Sequence, residues 1–103
     1  MRFTVHLTRE AREDLQRLEE LLVEMALEHA DLELPGRAVD AIRSEMRILE
    51  TNPYTCRMAH SSSLERELII PFGGSGYVAL FKIISDDEVA VPALRHQRED
   101  DYR

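Results

Sequence analysis

Apolar and polar residues alternate at the start of the chain, with Phe3, Val5 and Leu7 set against Arg2, Thr4 and His6. A period of two is that of a strand with one face buried. Thr8 follows as a hydroxyl N-cap, and Glu10, Glu13 and Asp14 lie near the positive end of the helix it opens. Ala11, Leu15, Leu18, Leu22 and Met25 then recur at helical spacing, a stripe that His29 continues. The stripe predicts an amphipathic helix of about five turns, broken over Asp31–Gly36, where Pro35-Gly36 punctuates the chain. Val39, Ile42, Met46 and Leu49 mark a second helix, stopped by Thr51-Asn52-Pro53. The two helices are expected to pack through these residues onto Phe3, Val5, Leu80 and Ile83, with Met25 and Met46 in the core.

The period changes in the second half. Arg57–His60 reads as a short strand and Ser61-Ser62-Ser63 as a polar turn. Residues 66–72 form another strand, closed by a hairpin loop built from Gly73, Gly74, Ser75 and Gly76. Gly76–Ile84 is almost continuously apolar, as a central strand covered on both faces would be. Asp86-Asp87 turns the chain, and Val89–Leu94 returns as the last strand. Pro92 interrupts that strand and cannot donate a backbone hydrogen bond, so a bulge or an unpaired side is expected there. An open edge beside it could take a partner's strand. The order β-α-α-β-β-β predicts one α+β domain over residues 1–103, an antiparallel sheet with a helical hairpin on one face.

Charge narrows the function. The 103 residues hold 20 acidic and 13 basic side chains, for a net charge of -7. Proteins that live by gripping a polyanion usually carry the opposite balance, so nucleic acid is disfavoured as the main partner. Lys82 is the single lysine, and the other twelve cations are arginines. One cysteine, Cys56, cannot form an internal disulfide, and no stretch approaches the roughly 20 apolar residues of a membrane span. A cytoplasmic protein with no membrane association is the expectation. His6, His29, His60 and His96 are scattered without ligand spacing, so neither a metal site nor a cofactor is expected. The Gly73–Gly76 run lacks the helix and Lys-Ser/Thr of a phosphate-binding loop.

Three segments carry a family resemblance. Leu7-Thr8-Arg9-Glu10-Ala11-Arg12-Glu13-Asp14-Leu15 resembles the first helix of ParE-type toxins, and Asn52-Pro53 is similar to the break after their second helix. Arg66-Glu67-Leu68, Gly76-Tyr77 and Val89–Leu94 running into Arg95-His96-Gln97-Arg98-Glu99 look like the final hairpin and tail of the RelE/ParE superfamily. The resemblance implies a toxin of a type II toxin–antitoxin module. Such a toxin is neutralised in a hetero-oligomer by a ParD-like antitoxin with a ribbon-helix-helix domain. The ParE branch inhibits DNA gyrase, and the RelE branch cleaves mRNA on the ribosome.

Residues favour the gyrase branch and a binding protein over an enzyme. RNA cleavage needs a base, an acid and cations for the developing phosphorane. The resemblance places an arginine after Gly-Tyr in the nuclease branch, where this chain has Val78, and cations on the preceding strand, where it has Leu68, Ile69 and Ile70. Arg95, His96 and Arg98 are then target-binding residues. In the alternative nuclease reading, His96 and Tyr102 are the acid–base pair. A degenerate homologue that still binds its antitoxin is a third reading. Arg57 and Arg66 are expected to pair with Glu65 or Glu67 across strands.

Overall fold

A computed structural model describes residues 2–59 and 62–98. The chain runs through β1 (Thr4–Leu7), α1 (Arg9–His29) and α2 (Leu34–Met46). Two short 3-10 turns, Arg47–Glu50 and Pro53–Thr55, lead to β2 (Arg57–Ala59), β3 (Ser62–Phe72), β4 (Ser75–Ile83) and β5 (Glu88–His96). The sheet order is β1-β5-β4-β3-β2, so both helices and the first strand precede the antiparallel strands as expected. One pairing differs from an all-antiparallel sheet: β1 runs parallel to β5, with Val5 opposite Val89 and Leu7 opposite Val91. The long connection that a parallel pair requires is here the helical hairpin together with β2, β3 and β4.

Thr8 caps α1 as its hydroxyl predicts, accepting from the Ala11 N–H at 3.1 Å. α1 ends where Ala30 turns left-handed at φ 53° and its N–H reaches the Ala26 carbonyl. Pro35-Gly36 does not break the chain but sits in the first turn of α2. A first-turn N–H has no helical partner, so proline loses nothing there. Arg37 donates to Asp31 at 2.6 Å across this connection, and that hydrogen bond holds the Asp31 carboxyl below its usual range.

The core lies between the hairpin and one sheet face. Leu18, Leu22, Ala38, Ile42, Met46 and Leu49 from the helical side meet Leu68, Ile70, Phe81, Ile83, Val89 and Leu94 from the sheet. Met25 is no part of it, being 47% exposed, and Ala26 is buried in its place. A helix turns 3.6 residues per turn, so a stripe spaced 4, 3, 4, 3 rotates off the buried face by its fifth member. Leu80 also departs from expectation: Tyr77, Ala79, Phe81 and Ile83 face the helices, so Leu80 points to the opposite face with Val78. Val39 is only half-buried, with Ala38 beside it fully buried.

β3 begins at Ser62, so Ser62-Ser63 belongs to a strand rather than a turn, while His60 and Ser61 lie outside the described residues. Gly76 likewise sits in β4, and the hairpin turns on Gly73 and Gly74 alone, with Phe72 opposite Ser75 and Gly73 at φ 60°. Arg57 pairs with Glu67 at 2.9 Å. Arg66 pairs with neither Glu65 nor Glu67: it donates to the carbonyls of Ser63, Tyr54 and Cys56 and stacks on the Tyr54 ring.

Pro92 does sit in a bulge. Leu80 pairs with Ala93 and Lys82 with Ala90, so Val91 and Pro92 together oppose Phe81. The edge beside it is closed by α1, however, and not by a strand. β1 ends opposite Val91, where the Thr8 N–H meets the Val91 carbonyl at 3.0 Å. Beyond that point the Leu94 N–H donates to the Asp14 carboxylate at 2.9 Å, with Asp14 only 4% exposed. Asp14→Ala would strand that buried N–H, and thermal or urea unfolding should show a loss of about 1–3 kcal/mol. Asp14→Asn keeps an acceptor oxygen and should recover most of the loss.

Candidate functional site

The end of β5 brings the predicted site residues to one corner, where they take different roles. Arg95 stands opposite Val78, on the sheet face away from the helices. Its side chain is 15% exposed and lies 4.0 Å from the Glu67 carboxylate, which also takes Arg57. Its Nη1 donates to the carbonyls of His96 and Gln97, both at 3.3 Å. Most of this guanidinium therefore fastens the strand end. Val78, where the nuclease branch would supply a cation, is 1% exposed. Arg98 is exposed in the turn after β5, and Tyr102 lies outside the described residues.

His96 faces the other way, toward the helices. Its ring stands edge-on to Tyr77 at 5.6 Å, and the Arg98 backbone N–H donates to Nδ1 at 3.1 Å. A donor at Nδ1 requires a lone pair there, so the proton of the neutral ring sits on Nε2. That Nε2–H is given to Ser75 Oγ at 3.2 Å. The tautomer is the reverse of what a Ser–His nucleophile needs, because Nε2 cannot take a proton that it already holds. Tyr77 is no substitute base: burial pushes its phenol pKa up, so the ring keeps its proton at neutral pH. The Cys56 thiol is also pushed up by burial, away from thiolate chemistry.

Around His96 opens an apolar pocket of about 270 Å³, lined by Leu18, Leu22, Met25, Phe72 and Tyr77. Sequence reasoning missed it. Ser75 and Tyr77 flank Gly76 and oppose the end of β5, but only the register of β4 on β5 brings them to His96. Among the described residues no three His, Cys, Asp or Glu side chains converge as metal ligands. No helix among them is long and apolar enough to cross a membrane.

Comparison with known proteins decides the family. The sequence profile of the ParE toxin of type II toxin-antitoxin system, parDE, matches residues 5–101. The chain belongs to the ParE toxin family. The fold agrees: a solved structure of the chromosomal ParDE TA system from P. aeruginosa superposes with a TM-score of 0.72. It covers 91% of this chain and 95% of that one at 17% sequence identity, a likeness of fold alone. No curated protein matches the chain in sequence. Within the ParE family frame, the expected order of strand, helical hairpin and antiparallel strands stands, and the corner at His96 is the end of the toxin's last strand.

Proposed function

We propose that this ParE family toxin acts in the cytoplasm by binding DNA gyrase rather than by cutting RNA, and that a cognate ParD-like antitoxin holds it inactive in a hetero-oligomer. One observation carries the reading: the corner that would have to perform RNA cleavage is chemically occupied. His96 spends both ring nitrogens on Arg98 and Ser75, and the strand position next to Tyr77 holds a buried valine. A phosphorane needs preorganised positive charge, and losing one such contact costs about 10²–10³ in rate. In this reading Arg98 and the exposed edge of His96 contact the target, and Arg95 holds the strand end that presents them.

The test is induction of the wild type and of His96→Gln in cells. A gyrase-directed toxin should block supercoiling, arrest growth and produce filaments while translation continues at first. Glutamine keeps hydrogen-bonding groups at this position, so the variant should retain toxicity to within a few-fold. General acid–base catalysis by the imidazole would instead be lost by about 10²–10⁴-fold. Ribosome-dependent cuts in mRNA that vanish in His96→Gln would overturn the proposal.

A further inference from the structure

The pocket beside His96 has an aliphatic wall on the helical side and hydrogen-bond donors on the sheet side. Leu21 and Met25 of α1 line it while half exposed, so apolar surface faces water there. On the sheet side, Ser75 and Tyr77 are two residues apart on β4, and a strand points such side chains to the same face. Tyr77 is 3% exposed, yet its hydroxyl has no hydrogen-bond partner among the described residues. Burial pushes the phenol pKa up and so keeps it a donor. Ser75 Oγ accepts the Nε2–H of His96, and its own proton is left to give. Among the described residues no Asp, Glu, Lys or Arg lines the pocket.

We propose that this pocket binds a small uncharged organic molecule, an apolar body with one carbonyl oxygen, and that the hydroxyls of Tyr77 and Ser75 recognise that oxygen. Size sets the body. A cavity of about 150 Å³ is enough for benzene, so the roughly 270 Å³ here admits an aromatic ring with a short chain. The donors set the polar group. A carbonyl oxygen offers two lone pairs to two O–H donors, whereas a donating ligand would turn to His96, whose ring nitrogens already serve Arg98 and Ser75. A carboxylate would shed its hydration with no cation in the wall to meet it. Water can satisfy Tyr77 but leaves the aliphatic wall wet; a ligand with an apolar body covers both. The flexible thioether of Met25 adapts the wall to different bodies. The inference is independent of whether gyrase or RNA is the toxin's target.

The experiment is an NMR titration of the full chain with acetophenone, a phenyl ketone, and with benzoate, which carries the same ring on a charged carboxylate. Acetophenone should shift the amide resonances of Gly76, Tyr77 and His96 saturably, with a Kd of about 5 mM or tighter for a probe of this size. Benzoate should bind at least about fivefold more weakly, since its charge goes unmet. Tyr77→Phe keeps the ring in the wall and removes the donor, so acetophenone should lose about fivefold or more in affinity. Should that variant fail to fold, the two probes on the wild type still decide the matter. No saturable shift at these residues would overturn the site. Benzoate binding as tightly as acetophenone, or Tyr77→Phe binding acetophenone as the wild type does, would overturn the carbonyl assignment. Pocket resonances that move with protein concentration alone, and resist acetophenone, would give the pocket to a second copy of the chain and overturn the proposal.

Discussion

Leu18→Asp should destabilise the toxin severely. Leu18 is 3% exposed and belongs to the cluster that joins the helices to the sheet. Removing a buried leucine side chain costs about 2–5 kcal/mol by itself. A carboxylate in its place must either lose its hydration without a partner or take up a proton, and both add to the cost. A total of about 4 kcal/mol or more is a large part of the roughly 5–15 kcal/mol that holds a small domain together. A fall in Tm of at least about 15 °C is expected by calorimetry or circular dichroism. Met25→Asp, on the same helix but half exposed, should change Tm far less. Equal effects at the two positions would mean that the buried face of α1 has been placed wrongly.

Gly76→Ala should be nearly as damaging, for a different reason. A Cβ at Gly76 would drive into the carbonyl oxygen of Ile70, and would come to 3.1 Å from the Ile70 carbonyl carbon and the Phe72 nitrogen. These are backbone atoms of the paired strand, and no rotamer can move them away. β3 and β4 must separate locally, at a cost of about 3 kcal/mol or more. The carbonyl of Gly76 also accepts the Gln97 N–H at 2.8 Å. A shift there therefore pulls the end of β5 from the hairpin and opens the Ser75–His96 contact. Urea unfolding should show the lost stability, and the His96 ring resonances should move in NMR spectra. Gly74→Ala, two residues away in open space, should stay within about 0.5 kcal/mol of wild type. If Gly76→Ala proved as stable as Gly74→Ala, the close approach of β4 to β3 would be wrong.

The candidate site was less legible than the fold. Arg95, His96 and Arg98 are neighbours in sequence, so the tail reads as one cationic patch. A strand sends successive side chains to opposite faces, and this one splits the patch. Arg95 goes to Glu67 on one side, and His96 goes to Tyr77 and Ser75 on the other.

The sequence by itself determined the elements and their order. The alternation at Phe3, Val5 and Leu7, the hydroxyl at Thr8, the stripe through Leu18 and Leu22 and the glycines of the hairpin act over a few residues. Backbone geometry converts such patterns directly into strands, helices and turns. Only the tertiary structure decided what depends on a partner far along the chain. It placed β1 parallel to β5, gave the Leu94 N–H to Asp14 across 80 residues, and turned Phe81 rather than Leu80 onto the core. A strand's register sets which face each side chain meets, and the register is fixed by the whole sheet packing at once. A carboxylate near a helix start reads as a solvated charge until the fold closes a strand edge over it, as it does at Asp14.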